Sequence, residues 1–279
     1  MEPQGTNELN ESAPQIHKKV SLTVPELPFQ VNEALNTLRG NIQLSGYNIK
    51  VVGVTSALKH EGKSSLAFRL TQSFSALGKR ALYIDCDIRN SETLLRYKIR
   101  RPGPGLSEFL CGKADLDSVI YTTDDPYFDI IFTGGLAPNP SELFSGELFK
   151  AMLQYLKDQY DYLIVDTPPV VPVIDGVLIS NLCDGVVLVV ESGVTEKAVS
   201  KHAKQQLDYA GVKLLGVVLN KVGTRKSGYG FGYGYGYGRG YGYGYGSRYG
   251  YGYGEDNDAQ EKKPSLFSRK KSSHSAKKK

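Results

Sequence analysis

Residues 55–65 read Thr-Ser-Ala-Leu-Lys-His-Glu-Gly-Lys-Ser-Ser. Upstream, Ile49–Thr55 is an apolar, strand-like run, and downstream Lys63–Leu77 has the pattern of a helix that stops at Gly78. A strand that enters a loop and leaves it through Gly62-Lys63-Ser64 into a helix is the context of a phosphate-binding loop. Backbone N–H groups at the helix start can receive phosphate oxygens. Lys63 would supply charge for the β- and γ-phosphates, and the Ser64 hydroxyl a ligand for Mg²⁺. The match to GxxxxGK[ST] is incomplete, because Ala57 stands where the first glycine belongs. The bland alternative is a surface turn before a helix.

Two further strand ends weigh against that alternative. Ala81-Leu-Tyr-Ile-Asp85-Cys-Asp87-Ile-Arg89 is an apolar run that closes on two carboxylates at i and i+2. Alternate residues of a strand share a face, so both can address one site. Tyr162-Leu-Ile-Val-Asp166-Thr-Pro-Pro169 is a second apolar strand ending in aspartate, placed as a Walker B residue is. Either run alone is an ordinary strand leaving a core. The three together, in this order, read as a site for ATP and Mg²⁺.

Val186–Val190 and Leu214–Leu219 are two more strands rich in Val, Ile and Leu, and Asp129–Phe132 is a shorter one. Thr195–Tyr209 reads as a helix between the last two strands. Val31–Ile42 carries Leu35, Leu38 and Ile42 at helical spacing, and Ser141–Lys157 reads as one amphipathic helix capped by Ser141. Apolar strands interleaved with helices predict an α/β fold, a P-loop NTPase-like, mostly parallel sheet covered by helices on both faces. Ligands of such sheets sit at the carboxyl ends of the strands.

Composition divides the chain. Residues 224–279 hold 10 of the 19 tyrosines and 13 of the 31 glycines, and carry a net charge of +8 against −3 for the rest. The expected organisation is a flexible arm over residues 1–30, a catalytic domain over 31–223 and a disordered tail over 224–279. Cys86, Cys111 and Cys183 are odd in number and lack CxxC spacing, which excludes a disulfide framework and a thiolate zinc site. No apolar run approaches the ~18–20 residues that span a bilayer. The polar, acidic start is not a signal peptide, so a cytoplasmic location is expected.

The quoted motifs carry a resemblance. EGKSS, LYIDCDIRNS and YLIVDTPP resemble the Walker A, A′ and B motifs of the bacterial tyrosine kinases (BY-kinases), in particular the soluble CpsD/CapB-like type of capsule and exopolysaccharide synthesis. The likeness runs from about Glu33 to Val222, through NIQLSG, GLSEFLCGKADL, PNPSELF and LGVVLNKV. It implies that Lys63 holds the phosphates and that Ser64, Asp87 and Asp166 serve Mg²⁺. It implies that Asp85 orients or deprotonates the acceptor hydroxyl, that Glu61, Gly62, Ser65 and Asn220 help bind the nucleotide, and that Arg89 organises the site. Three departures stand out. His60 occupies a place where the family has glycine, and a positive φ there would strain it. The extra loop lysine of the partition ATPases falls on Leu58, with Lys59 one position off. The family's oligomer motif Glu-x-x-Arg-x-x-Arg reads Glu33, Asn36, Arg39 here, so Glu33 and Arg39 are the expected interface residues of a ring-like oligomer.

Residues 228–254 alternate glycine with Tyr229, Tyr233, Tyr235, Tyr237, Tyr241, Tyr243, Tyr245, Tyr249, Tyr251 and Tyr253. Beside an ATP site of this type they read as phosphoacceptors on a flexible chain. Only Arg239 and Arg248 lie among them, too few cations for a specific nucleic-acid contact. The basic end, 262–279, can meet an anionic membrane surface. The resemblance further implies a membrane-embedded activator in a separate chain, an opposing protein-tyrosine phosphatase, protein substrates in polysaccharide synthesis, and a peripheral position at the inner face of the membrane. The rival expectation is a partition- or division-site-type ATPase switch that phosphorylates no protein.

Overall fold

The computed structural model describes residues 18–99 and 103–223; the tyrosine cluster and the basic end lie outside the described residues. The elements in chain order are β1 (Lys18–Lys19), α1 (Phe29–Leu44), β2 (Val51–Ser56), α2 (Lys63–Ser75), β3 (Ala81–Asp85), α3 (Thr93–Arg96), α4 (Leu106–Leu110) and α5 (Leu116–Val119). There follow β4 (Ile120–Thr122), β5 (Phe128–Ile131), α6 (Pro140–Ser145), α7 (Glu147–Gln159), β6 (Tyr162–Asp166), α8 (Asp175–Ser180), β7 (Gly185–Glu191), α9 (Lys197–Tyr209) and β8 (Leu214–Asn220).

The strands form one sheet in the order β1-β4-β5-β3-β6-β2-β7-β8. Every pairing is parallel except β4 with β5. The central strands β2, β3, β6 and β7 are buried almost throughout, which is why they read as unbroken apolar runs rather than as alternation. One face packs Val52, Val54, Tyr83, Ile164 and Val187 against α1 and α2 through Ile42, Phe68, Leu70 and Phe74. The opposite face packs Leu82, Ile84, Leu163 and Val165 against α7 through Phe149, Met152 and Leu156. The α/β class and the two-sided sheet are as expected.

Two local expectations are corrected. The flexible arm expected over residues 1–30 does not hold for its described part, because Lys18–Lys19 pairs with Tyr121–Thr122 and the Val20 N–H donates to Thr122 O at 2.9 Å. Val20, Leu22 and Val24 alternate with polar residues, and that period of two seats them on the core. The single helix predicted over Ser141–Lys157 is two helices. Gly146 between them holds extended backbone, φ −75 and ψ 153. Pro140 opens the first helix, and the Ser141 hydroxyl bonds Asp175 instead of capping.

Candidate active site

Strand register assembles the site. Asp85, the last residue of β3, is the partner of Asp166, the last residue of β6, and Asp166 is also in register with Val54 of β2. Opposed residues of parallel strands share a face, so both carboxylates emerge together at the carboxyl edge, next to the loop that leaves β2. Lys63 opens α2 directly above them. Its Nζ lies 2.8 Å from Asp87 Oδ2 and 3.6 Å from Asp166 Oδ1, and it donates to the Ser64 hydroxyl at 3.1 Å. Lys63, read from the sequence as a phosphate ligand, is buried, at 8% exposure.

The charges are set by this burial. Burial alone would lower the Lys63 pKa, but Asp166, Asp87 and Asp85 outweigh it and hold the ammonium above its ordinary value. Asp85 is pushed up to about 6 by burial and by the charge of Asp166, against hydrogen bonds from Ser91 and Thr93. Burial also raises Asp166, opposed by the Lys63 charge. Asp85 Oδ2 accepts from the Ser91 hydroxyl at 2.6 Å, and Asp85 Oδ1 from the Asp87 N–H at 3.2 Å. Asp166 Oδ2 accepts from the Tyr83 hydroxyl at 2.9 Å, while Asp166 Oδ1 is buried and accepts no hydrogen bond.

The loop over this cluster is held from several sides. His60 does adopt left-handed backbone, φ 65, as does Gly62, φ 93. A Cβ on Gly62 would stand 2.2 Å from Asn220 Nδ2, so only glycine fits. Asn220 Nδ2 donates to the Glu61 carbonyl at 2.8 Å. Glu61 is not turned toward a ligand. Its carboxylate is buried, accepts from the Leu58 N–H at 2.7 Å and from the Glu191 N–H at 3.3 Å, and bonds the Thr195 hydroxyl. Its side chain fixes the loop.

Two adjoining cavities open here. One, of about 430 Å³, is lined by Lys63, Ser64, Ser65, Asp87, Asn220 and Lys221 among others. The second, of about 320 Å³, shares Gly62, Ser65, Arg96 and Asn220 and is otherwise largely apolar, with Leu27, Val31, Leu35, Leu66 and Tyr97. Sizes of this order suit small-molecule ligands. Among the described residues no cluster of three or more His, Cys, Asp or Glu side chains forms a metal cage.

Residues 50–200 match the family of the AAA domain. The tyrosine-protein kinase CpsD of Streptococcus agalactiae serotype III is 37% identical over 201 residues, covering 72% of this chain and 87% of that protein. The tyrosine-protein kinase YwqD of Bacillus subtilis is 34% identical over 202 residues, covering 71% and 85%. This chain belongs to the bacterial tyrosine kinases. The kinase domain of the Escherichia coli tyrosine kinase ETK has the same fold, with a TM-score of 0.67, 28% identity and coverage of 80% of this chain and 89% of that one. As a member of that family the protein is a nucleotide-binding protein-tyrosine kinase. The rival ATPase-switch expectation is not supported. The septum site-determining protein MinD of Pyrococcus horikoshii, at 20% identity and a TM-score of 0.55, shares the fold alone.

In this bacterial tyrosine kinase the structure brings together Lys63, Ser64, Asp85, Asp87 and Asp166, with Gly62, Ser65 and Asn220 at the cavity wall. Glu33 and Arg39 lie elsewhere, on α1. Glu33 accepts from Asn36 Nδ2 at 3.1 Å, and Arg39 Nη1 donates within the chain to the Ser73 carbonyl and hydroxyl, at 2.7 and 2.6 Å. Arg89, expected to organise the site, is tied by Nε to Asp175 at 2.6 Å. Tyr83, Ser91 and Asp175 escape sequence reasoning, since their roles come from partners distant in the chain. The one available signal was a tyrosine inside the otherwise aliphatic strand that ends in Asp85. No helix among the described residues is long and apolar enough to cross a membrane.

Proposed function

We propose that the kinase transfers the γ-phosphoryl group of ATP, with Mg²⁺, to the tyrosines of residues 229–253 on a neighbouring copy. The observation that carries this reading is Lys63, buried in the cavity wall between Asp87 and Asp166, with Asp85 beside them. Lys63 would exchange its carboxylate partners for phosphate oxygens, and the loop N–H groups would receive the rest. The larger cavity suits the phosphates and the apolar one the base.

The donors fit Mg²⁺, which takes one or two carboxylates together with water and phosphate oxygens rather than an all-protein cage. Asp166 Oδ1, which faces Lys63 across 3.6 Å without a hydrogen bond, is an acceptor such an ion could use, and Ser64 and Asp87 stand beside it. The bound ion would neutralise charge on the phosphates. Asp85 would receive the proton of the acceptor hydroxyl, whose pKa of ~10 makes an unassisted tyrosine a poor nucleophile.

The same reading places the kinase in capsule or exopolysaccharide synthesis, under a membrane-embedded activator, opposed by a tyrosine phosphatase, and acting also on proteins of that pathway. It places Glu33 and Arg39 at a ring interface and the basic end at an anionic membrane surface. Incubation with ATP and Mg²⁺ followed by mass spectrometry tests it. Phosphotyrosine within residues 229–253 of the wild type, and none in Asp85→Asn, is the expected result. ATP hydrolysis with no phosphotyrosine on any chain would overturn it.

A further inference from the structure

We propose that Tyr83 is a positioning residue of this site: backed by Thr93, it holds the Asp166 carboxylate so that Oδ1 alone faces the metal and phosphate positions. The inference rests on the MgATP reading above and adds a residue to it.

Tyr83 is fully buried in the middle of β3, on the same face as Asp85. Its ring meets Phe68 of α2 edge-on, 5.6 Å between centroids. Its hydroxyl sits 2.9 Å from Asp166 Oδ2 and 3.1 Å from Thr93 Oγ1. An ionised carboxylate only accepts, so Tyr83 donates its single proton to Asp166. The Thr93 hydroxyl, which also bears on Asp85, is then the donor toward the Tyr83 oxygen. The order Thr93 to Tyr83 to Asp166 is a polarised chain in which each bond strengthens the next.

The consequence is selective. Oδ2 is occupied, and Oδ1 is left buried and without a hydrogen bond, 3.6 Å from Lys63 Nζ. A carboxylate free to rotate would share the two oxygens between both roles. Thr93 opens α3 directly after the loop that follows β3, and that loop carries Asp87 on Lys63 and Ser91 on Asp85. One short segment therefore sets all three carboxylates. Groups that orient a metal-binding carboxylate typically change metal affinity by about 10–100-fold when removed.

The test uses the full chain, ADP and Mg²⁺. Tyr83→Phe keeps the ring and removes only the hydroxyl. Wild type should bind ADP more tightly as Mg²⁺ is added. Tyr83→Phe should raise the Mg²⁺ concentration for half-maximal effect by about 10-fold or more, with metal-free ADP affinity within about twofold. Thr93→Val should shift it in the same direction by a smaller factor, and it decides the matter if Tyr83→Phe does not fold. A purely structural role would lower the melting temperature and leave Mg²⁺ half-saturation unmoved, and that result in the folded variant overturns the proposal. A wild type whose ADP affinity ignores Mg²⁺ would instead overturn the MgATP reading and this proposal with it.

Discussion

The Lys221 ammonium donates to the His60 carbonyl across 2.6 Å, and both residues hold left-handed backbone, φ 57 and φ 65. A non-glycine residue in that region costs on the order of 1–3 kcal/mol and persists only where its surroundings impose it. Here the surroundings are Lys221, itself paired with Glu191 at 2.8 Å, and Asn220, which holds the next carbonyl. The end of β8 thus clamps the phosphate loop.

Removing the clamp should loosen nucleotide binding. Lys221→Met is expected to weaken ADP affinity about fivefold, the value of about 1 kcal/mol for one lost hydrogen bond. Calorimetric titration of both proteins checks it, and unchanged affinity would show that the loop holds its shape without Lys221.

Lys63→Met should abolish phosphotyrosine formation and also lower the stability of the nucleotide-free protein. Removing one partner of a buried ion pair costs on the order of 3 kcal/mol, because Asp87 and Asp166 lose their counter-charge. Urea unfolding with and without nucleotide reads the second effect. A Lys63→Met protein as stable as wild type would mean that the two carboxylates are not charged together.

Asp184 makes a pH prediction away from the site. Its Oδ2 accepts from the Lys50 and Val51 N–H groups, at 2.9 and 2.8 Å, and its Oδ1 from Lys157 at 2.6 Å. Burial would raise its pKa, but the Lys157 bond and the two backbone donors hold it below the ordinary value. A depressed folded pKa contributes stability that is present above the unfolded value of about 3.9 and is lost as pH falls through the lower folded value. Asp184→Asn should therefore lower stability by about 1–3 kcal/mol at neutral pH, with the gap closing below pH ~4. A gap independent of pH would contradict the charge argument.

The parts of the fold that sequence reading recovers are those whose residues carry their own signal. β3 and β6 are buried on both faces and end in aspartate, so an apolar run and its closing charge suffice to place them, and β2 is placed by the apolar run that leads into Gly62-Lys63-Ser64. The shortest pieces, such as β4 with Ile120–Thr122 and α3 with Thr93–Arg96, carry too few residues for any period. The break at Gly146 was illegible because the apolar spacing runs on across it. Within the site, Lys63, Asp85, Asp87 and Asp166 were legible from motif spacing. Tyr83 on Asp166, Ser91 on Asp85 and Glu61 folded inward were not, since each depends on which distant residue the sheet brings alongside.

A site built on Lys63 is expected to phosphorylate tyrosines of another copy. The most direct measurement mixes two chains with ATP and Mg²⁺: Lys63→Met, which keeps residues 229–253, and a chain lacking residues 228–254, which keeps the site. Phosphotyrosine on the Lys63→Met chain, found by mass spectrometry only when both are present, is the predicted result. With both chains folded and associated, an unmodified Lys63→Met chain would contradict it.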